Sequence, residues 1–441
     1  MLHVLLVATL LWQDPAPAAK PPAPATFAQL LDQHFAAWDK DGDGTLSAVE
    51  IDGLCVDATL TGEPAAAAAA LKRIVRSGKY AVPELTRANL AQPPKGKPAT
   101  PDTKAAKDSK DTRPPADAKG PEPDPAAAQD RRDSGETPAT TLKAPNFQAS
   151  HSSALRKIVT TNRVLFGDDT PDLDRCRQGP LGNCYFVAAV GAFVHRDSAA
   201  VKQLVQEREG GGYEVRFADG KSIVVTPLTD AEVALSGTTG DEGLWLPVLE
   251  KALGSLRREA NPERYTMATA TDAIAKGGSS AAIIRMLTGH QTARITLKKR
   301  PRGTVKDADG KSVPKPPVAA GPVDALAAKV RSDVGEALTQ RRLVTCSTGT
   351  EPQPPGISGK HAYAVLAFDA AKDELTLWNP HGNTFRPKGE PGRSAGYPTK
   401  AGVFCLPVRD FVQVFGSVSM ETDQPLPEPK AAPREAPAKQ G

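Results

Sequence analysis

Apolar side chains recur at intervals of three and four residues in several parts of the chain. That spacing is typical of a helix that buries one face. The first such stretch carries five apolar side chains in helical register: Phe27, Leu30, Leu31, Phe35 and Trp38. Helices are also predicted over Ala65 to Arg73, over Leu244 to Leu253, and over the apolar run Tyr185 to Val194 that follows a cysteine.

Two shorter stretches nearer the C-terminal end have the pattern of β-strands. They are Ala362 to Phe368 and Glu374 to Trp378. His361 comes directly before the first strand and Asn379 directly after the second. Asn379 follows His361 by 18 positions, which fits a strand, a turn and a second strand, so the pattern predicts a hairpin that carries both polar side chains.

Two proline-rich segments lack the side chains that a core needs. Residues 92–145 contain no aromatic residue, and Leu142 is their one large aliphatic residue. Such a composition cannot bury enough apolar surface to fold. We therefore predict a disordered linker over 92–145 and a disordered tail over 421–441. The segments between them become an N-terminal module over 24–91 and a larger domain over 146–420.

The chain begins with a short apolar run, from Leu2 to Trp12, which is followed by small residues and prolines up to Ala19. The run is too short to span a membrane. It resembles a secretory signal peptide, although the positively charged start is missing. We predict a signal peptide over 1–19 and a secreted or periplasmic protein. The alternative is a disordered N-terminus on a cytoplasmic protein.

Charge and cysteine content restrict the partners only weakly. The net charge of +4 indicates no particular partner. The basic cluster Lys298 to Arg302 is compatible with an anionic partner, but its proline- and glycine-rich surroundings favour a solvated loop inserted in the fold. We expect neither nucleic acid binding nor stable membrane insertion. The five cysteines leave at least one thiol free, and they fix neither a disulfide nor the oligomeric state.

Residues 39–50 match a calcium-binding EF-hand loop position by position. The loop supplies carboxylates at its first, third and fifth positions, a turn glycine at the sixth, a backbone carbonyl at the seventh and a bidentate carboxylate at the last: Asp39, Asp41, Asp43, Gly44, Thr45 and Glu50. Ser47 at the ninth position would act through water. Calcium prefers six to eight oxygen ligands. The alternative is an acidic surface turn, and we predict bound Ca²⁺.

A second, degenerate loop follows. Aligning Gly78 with Gly44 places Glu84 at the last ligand position. The first three ligand positions are then occupied by residues that bind calcium poorly: Arg73, Val75 and Ser77. We interpret this loop as an empty structural partner, with Tyr80 pairing with Leu46 across a short strand.

The candidate chemistry centres on Cys184, which opens the predicted helix. Gln178 precedes it by six residues, with Gly179 and Gly182 in between. Helix N–H groups and the helix dipole favour a thiolate, and they lower a thiol pKa from about 8.5 to roughly 3.5–7.5. The alternative for a single cysteine is a buried structural side chain.

Six motifs in the same order resemble the protease core of the calpain family. They are Gln178-Gly-Pro-Leu-Gly-Asn-Cys184, Leu244 to Ala252, Gly277-Gly278 with Leu287-Thr-Gly289, Lys360-His-Ala-Tyr363, Leu377-Trp-Asn-Pro-His-Gly382, and Gly402-Val-Phe404 with Asp410, Phe411 and Phe415. The resemblance covers roughly residues 146–420. It implies a two-lobed, papain-like α+β core with a helical lobe over about 146–290, a β-rich lobe over about 291–420, and the active site between them.

The resemblance also implies a role for each of four residues. Cys184 is the nucleophile, and His361 is the base and then the acid. Asn379 accepts a hydrogen bond from the other imidazole nitrogen, and Gln178 donates to the oxyanion together with the backbone N–H of Cys184. The implied function is a calcium-dependent endopeptidase that acts on polypeptides through an acyl-thioester. Calpains also bind calcium on both lobes, but those loops do not match residue by residue here, so the sequence assigns no such ligands and leaves calcium binding by the core open.

Three residues depart from the family pattern. Asn183 stands in place of an Asp, and Tyr185 and His381 each stand in place of a Trp. We expect His381 to shield the bond between His361 and Asn379 from water less well. One alternative makes His381 itself the base. Another makes the chain a catalytically weak or inactive calcium-dependent binding protein. A transglutaminase-like acyl transferase is disfavoured by the Asn in the third place.

Overall fold

The computed structural model describes residues 24–77, 79–91, 142–167, 170–265, 269–299, 304–306, 312–315 and 317–427. The predicted signal peptide, residues 92–141 of the predicted linker and residues 428–441 of the predicted tail lie outside the described residues. Among the helices in the described ranges, none combines the length and the apolar character needed to cross a bilayer.

Four helices form the N-terminal part of the described chain: α1 (Phe27–Trp38), α2 (Ala48–Val56), α3 (Gly62–Arg76) and α4 (Arg87–Leu90). Thr26, Ser47 and Thr86 cap α1, α2 and α4 by accepting a hydrogen bond from a backbone N–H in the first turn. The five apolar residues predicted to face inward in α1 are all buried, which confirms that prediction. The helix predicted over 65–73 lies within α3.

The next part of the chain is mainly helical. Its helices are α5 (Phe147–Thr160), α6 (Cys184–Arg196), α7 (Ala200–Leu204), α8 (Asp230–Leu235), α9 (Trp245–Ala260), α10 (Ala270–Ala275) and α11 (Ser280–Thr288). A small antiparallel sheet of β1 (Val205–Glu207), β2 (Tyr213–Arg216) and β3 (Ser222–Val225) lies between α7 and α8 in the chain. The helices predicted after Cys184 and over Leu244 to Leu253 correspond to α6 and α9.

The chain then enters its β-rich part with β4 (His290–Thr296). Short antiparallel pairs follow, β5 (Lys298–Lys299) with β8 (Val318–Ala319) and β6 (Thr304–Lys306) with β7 (Ser312–Pro314). Lys298, from the basic cluster, forms an ion pair of 2.7 Å with Glu351. Helical segments follow: α12 (Val323–Lys329), a π-helical turn (Val330–Val334) and α13 (Gly335–Thr339).

A six-stranded antiparallel sheet organises this part of the fold. Its remaining strands are β9 (Val344–Ser347), β10 (Ala362–Asp369), β11 (Glu374–Trp378), β12 (Val403–Pro407) and β13 (Ser417–Pro425), with α14 (Val408–Val414) before β13. The strand order is β12-β11-β10-β9-β13-β4. The predicted hairpin is formed by β10 and β11, with Ala364 opposite Trp378. Helices and sheet together are consistent with the α+β class.

Helix α6 packs against β10, so the helical part and the sheet meet along it. The approach is close at Gly191, where an added Cβ would lie 2.4 Å from the Trp378 ring. Only a residue without a side chain fits there. This contact brings the start of α6, and therefore Cys184, next to the sheet.

The N-terminal helices do not stand apart from the rest of the fold. One apolar core contains side chains from α1 to α4 together with side chains from α5 and α8. Phe27 stacks on Phe147 with ring centroids 5.3 Å apart, and Thr229 donates a hydrogen bond of 2.6 Å to the carbonyl oxygen of Cys55. The module predicted over 24–91 therefore shares its core with the helical part of the larger domain.

The predicted pairing of Tyr80 with Leu46 is wrong. The backbone N–H of Leu46 donates to the carbonyl oxygen of Leu85 at 3.1 Å, and Tyr80 pairs with Lys143. The predicted alignment is wrong because it matched Gly78 with Gly44. The N-cap residues give the correct register. Thr86 caps α4 as Ser47 caps α2, so Thr86 corresponds to Ser47.

Two predicted boundaries also need correction. The tail does not begin at residue 421, because β13 continues to Pro425 and Glu421 is buried among ionic partners. Its carboxylate lies 2.8 Å from a guanidinium nitrogen of Arg196 and 2.7 Å from Nδ1 of His290. At the other boundary, Lys143 belongs to the predicted linker but exchanges backbone hydrogen bonds with Lys79 and Ala81.

Candidate active site

Cys184 lies at the start of α6 and is half-buried in the groove between the helical part and the sheet. Burial raises the pKa of the Cys184 thiol, and the backbone N–H groups of Ala362, Tyr185 and Cys184 itself act in the lowering direction. The sulfur therefore sits among N–H donors from α6 and from the start of β10. All five cysteines of the chain carry free thiols.

His361 is held by the segment that leads into β10. Its N–H donates to Thr348 Oγ1 at 3.1 Å, and its carbonyl oxygen accepts from the N–H of Thr348 at 2.9 Å. Lys360, immediately before it, has a φ of +50°, in the left-handed region that residues with a side chain rarely adopt. Strained backbone of this kind is common at functional sites.

The His361 ring is hydrogen-bonded to Asn379 at the end of β11. Nε2 of His361 lies 2.8 Å from Oδ1 of Asn379. Asn379 is fixed in turn, because its amide nitrogen donates to Asn383 Oδ1 at 2.9 Å and its backbone N–H donates to the carbonyl oxygen of Gly402 at 2.8 Å. A neutral imidazole that donates through Nε2 keeps Nδ1 as its proton acceptor.

The bond between His361 and Asn379 is buried, contrary to the expectation from the sequence. His361 is 5% exposed and Asn379 is 1% exposed. The His381 ring stacks on the His361 ring, and Tyr363 meets His361 edge-on at a centroid distance of 5.0 Å. The prediction of poor shielding is therefore wrong, because a flat imidazole covers the ring much as a larger aromatic side chain would.

Burial acts against the charged forms of both Cys184 and His361. Burial lowers the pKa of His361 to about 3, the nearby His381 acts in the same direction, and the hydrogen bond to Asn379 opposes them. The thiol pKa of Cys184 is raised. For the Cys184 pKa, burial thus acts against the helix-stabilised thiolate that the sequence predicts, and the N–H groups act in its favour. Transfer of the thiol proton to His361 would create the thiolate and the imidazolium in one step.

Gln178 faces the same groove from the loop before α6. Its backbone N–H donates to the carbonyl oxygen of Pro380 at 2.8 Å, which ties this loop to the Asn379 turn. Its side-chain nitrogen donates to the carbonyl oxygen of Leu181 at 2.6 Å. An amide nitrogen has two hydrogens, so one remains for a further acceptor in the groove.

Asn183 and Tyr185, two of the three residues that differ from the family pattern, each make a hydrogen bond inside the fold. Asn183 is fully buried and donates to Glu250 Oε1 at 2.7 Å. Burial raises the pKa of Glu250, and a hydrogen-bond donor at 183 satisfies its carboxyl group. The Tyr185 hydroxyl donates to the carbonyl oxygen of Ile274 at 3.1 Å and links α6 to the end of α10.

Two cavities flank Cys184, and both include His361 in their lining. One, of about 330 Å³, also contacts Gly277 and Gly278. The other, of about 540 Å³, also contacts Gln178 and His381. An extended chain laid across the groove would pass from one cavity to the other directly over the sulfur.

The acidic loop over residues 39–50 lies between α1 and α2. Carboxylate oxygens of Asp39, Asp41 and Asp43 lie within 4.8 Å of one another. Asp39 Oδ1 is buried and has no hydrogen-bond partner among the described residues. Glu50 turns back over the loop, where it accepts from the N–H of Lys40 at 2.5 Å and from the N–H of Ser47 at 2.8 Å. The donor set fits a hard cation.

The comparison with known families identifies the chain. A family model described as calpain family cysteine protease matches residues 154–390, which is more than half of the 441 residues. The chain belongs to the calpain family of cysteine proteases. Family membership supports a hydrolase of the cysteine peptidase type with polypeptide substrates. No curated protein matches the sequence.

The part matched to the calpain family stops short of the complete sheet. β12 and β13 follow residue 390, and β13 lies inside the sheet between β9 and β4. The calpain-like domain therefore needs residues up to about 425 to pair its strands. The predicted extent of the catalytic domain, 146–420, is close to this but too short by the end of β13.

Several residues around the site were not found from the sequence. Asn383 fixes the Asn379 amide, Thr348 fixes the His361 backbone, and Glu250 binds Asn183. The short spacing between Asn379 and Asn383 in one turn could have indicated the role of Asn383. Thr348 gives no local signal, because it reaches His361 only through the pairing of neighbouring strands.

Proposed function

We propose that this calpain-family protein is a calcium-dependent endopeptidase that cleaves internal peptide bonds through an acyl-thioester on Cys184. The observation that carries the proposal is the buried hydrogen bond of 2.8 Å between His361 and Asn379, at the groove that also holds Cys184. A base held in one orientation beside a thiol is the arrangement that nucleophilic cysteine catalysis requires.

In the acylation step His361 acts first as the base and then as the acid. His361 takes the thiol proton at Nδ1, and the sulfur of Cys184 attacks the carbonyl carbon of the scissile bond. The backbone N–H of Cys184 and the Gln178 amide stabilise the resulting oxyanion. The C–N bond then breaks, and His361 gives its proton to the leaving amine.

Hydrolysis of the thioester restores the protein. His361 removes a proton from water, and the hydroxide attacks the thioester carbon. The C–S bond breaks, the carboxylic acid product leaves, and the sulfur of Cys184 recovers the proton. Asn379 holds the His361 ring in one orientation through both halves of the cycle.

The rival function is a catalytically weak or inactive calcium-dependent binding protein. The three departures from the family pattern are its only support in the sequence. The contacts of Asn183 and Tyr185, and the stacking of His381, argue against it, because each departure has a packed or hydrogen-bonded place that leaves Cys184, His361 and Asn379 together. An acyl transferase would require a carboxylate where Asn379 stands.

Calcium binding by the loop over residues 39–50 is part of the proposal. The ion would be held by the carboxylates of Asp39, Asp41, Asp43 and Glu50 and by the carbonyl of Thr45, with Ser47 acting through water. The buried, unpartnered Oδ1 of Asp39 supports a cation there. Calcium would neutralise the negative charge of these carboxylates and so hold the loop and the start of α2 in one conformation.

The second loop of the proposed EF-hand pair would bind no ion. With Leu85 opposite Leu46, its twelve positions run over residues 78–89. Tyr80 and Val82 then occupy the third and fifth positions, and Asn89 the last. None supplies a carboxylate, so the corrected register leaves the interpretation of an empty loop unchanged.

A chain of ionic contacts supports coupling between the acidic loop and the groove. Asp52 lies one half-turn after Glu50 on α2 and pairs with Lys72 of α3. Lys72, which is 3% exposed, also lies 2.7 Å from Asp272. Asp272 lies in the first turn of α10, whose far end leads to Gly277 and Gly278 in the cavity wall. Ordering of α2 by calcium would thus stabilise one wall of the groove.

Export belongs to the proposal as well. The apolar run Leu2 to Trp12 supports it, and residues 1–19 would be removed from the mature protein. N-terminal sequencing of protein recovered from the natural host tests this point. A protein that begins at Met1 inside the cytoplasm would contradict export and leave the peptidase proposal standing.

Covalent labelling tests the catalytic proposal. A peptidyl chloromethyl ketone should alkylate Cys184 in the full chain, faster with calcium than with a chelator, and Cys184→Ala should lose both labelling and peptide hydrolysis. Cys405→Ala is the matched control, because Cys405 is an exposed thiol that lines neither cavity beside Cys184. Labelling that survives in Cys184→Ala, or that depends on Cys346, would overturn the assignment. Calcium binding without labelling or hydrolysis would favour the rival function.

A further inference from the structure

The larger cavity beside Cys184 is lined in part by the N-terminal helical module. The end of α3 and the segment after it contribute Arg73, Arg76 and Lys79, and the segment before β10 contributes Lys360. We call these four residues the basic rim. The described residues that line this cavity include no Asp or Glu. The module therefore forms one wall of the catalytic groove and gives it positive charge.

Three members of the basic rim are available to a ligand. Arg73, Lys79 and Lys360 are exposed, and none has an ion-pair partner among the described residues. Arg76 is different, because it pairs with Asp272 and so anchors the end of α3. The position of Lys79 is fixed by its carbonyl oxygen, which accepts from the N–H of Lys143 at 3.0 Å.

The cavity on the other side of Cys184 has the same sign of charge. Arg294 and Lys360 line it, together with the hydroxyl groups of several Ser and Thr residues, and no described lining residue is acidic. Arg294 donates to Ser417 Oγ at 3.1 Å, which leaves its charge without a carboxylate partner in the cavity. Positive charge thus lies on both sides of the sulfur.

The chain as a whole does not explain this pattern. Its net charge is only +4, with 55 basic and 51 acidic residues. Cations without carboxylates around a groove produce a local field that attracts anionic segments and repels basic ones. The field of Lys79 also reaches the site, since its charge contributes to the lowered pKa of His381.

We infer that the basic rim selects acidic polypeptide segments as substrates, with Arg73 and Lys79 of the N-terminal module as specificity-determining residues. This inference rests on the proposed peptidase function and deepens it. Glu and Asp side chains flanking the scissile bond would lie against Arg73, Lys79 and Lys360. Nucleic acid is also negatively charged, but the ligand must present a peptide backbone to Cys184, so we exclude nucleic acid as the substrate.

Cleavage-site profiling tests the inference on the active full chain. Digestion of a mixed peptide library, read by mass spectrometry, should show Asp and Glu enriched within a few residues of the cut. Arg73→Glu with Lys79→Glu should remove the enrichment and lower kcat/KM for acidic peptides by about five-fold or more, since exposed charge pairs each contribute little. Arg156→Glu with Lys388→Glu makes the same charge change at exposed sites that line neither cavity.

A binding measurement separates this inference from the proposed function. Cys184→Ala should bind a fluorescein-labelled peptide containing four Glu more tightly than the same peptide with four Gln or four Lys, and the Arg73→Glu, Lys79→Glu background should abolish the difference. Binding without cleavage by the unaltered chain would refute the peptidase and keep the acidic preference. Cleavage with no acidic enrichment, or equal binding of the three peptides, would refute the preference and keep the peptidase.

Discussion

The imidazole ring of His381 stacks on that of His361, with centroids 4.2 Å apart and planes inclined by 16°. The ring of His361 hydrogen-bonds to Asn379 Oδ1 at 2.8 Å, whereas His381 donates to that oxygen only through its backbone N–H, at 3.0 Å. The two histidines therefore have different roles in the geometry. One is oriented and buried, and the other covers its ring.

We expect His381→Trp to retain peptidase turnover, because an indole can cover the His361 ring as the imidazole does. His361→Ala should lower kcat by at least about 10³-fold, since it removes the general base. Steady-state kinetics at saturating calcium compares the two variants. Loss of activity in His381→Trp together with its survival in His361→Ala would mean that His381 is the base.

The stability of the protein should fall as the pH falls from about 6.5 toward 3. Burial lowers the pKa of His361 from its ordinary value of 6.5 to about 3. In that window the unfolded chain binds a proton that the folded chain does not, so acid favours unfolding. Urea unfolding at several pH values should show a smaller loss of stability in His361→Gln than in the unaltered protein. Parallel curves for the two proteins would contradict the buried, neutral His361.

One calcium ion should bind per chain at the acidic loop. Asp39→Ala and Glu50→Ala should each abolish binding in isothermal titration of the full chain, because they remove ligands at the first and last loop positions. Asp32→Ala is the control, since Asp32 is exposed on α1 and pairs with Arg87 outside the loop. Two equivalent sites would show that the loop over residues 78–89 also binds calcium.

Gly191→Ala should destabilise the protein by about 1–3 kcal/mol, the usual range for overpacking. The added methyl group would meet the Trp378 ring, where α6 packs on the sheet. Gly53→Ala on α2 is the matched control, because nothing lies within 4 Å of the place that its methyl group would take, and helix propensity there favours Ala. Thermal or urea unfolding of both variants checks the contrast. Equal stabilities would mean that α6 can shift away from the sheet.

The residues of the candidate site could be predicted because each has a local signature. Cys184 opens an apolar helical run, and His361 and Asn379 flank the strands of one hairpin. Sequence periodicity is strongest for such neighbouring elements. Their meeting in one groove followed from the family resemblance, and the close approach of α6 to the sheet at Gly191 is its physical basis.

Other features could not be predicted because they depend on contacts between distant parts of the chain. Glu421 lies in a stretch whose composition is typical of a disordered tail, yet it is buried against Arg196, 225 residues earlier. Arg73 has the pattern of an ordinary residue near the end of a helix. Only the packing of α3 on α5 and α8 brings it to the groove. Composition describes a segment alone, whereas a buried ion pair depends on its partner.

The apolar core that α1 to α4 share with α5 and α8 has a consequence for folding. Elements that bury one common core unfold together, so we expect a single cooperative transition and not separate melting of an N-terminal and a catalytic part. Any ligand that binds only the folded acidic loop then raises the melting temperature of the entire assembly by mass action. A chain shortened to begin at residue 146 would expose the apolar faces of Phe147 and Leu235 and would aggregate more readily than the full chain.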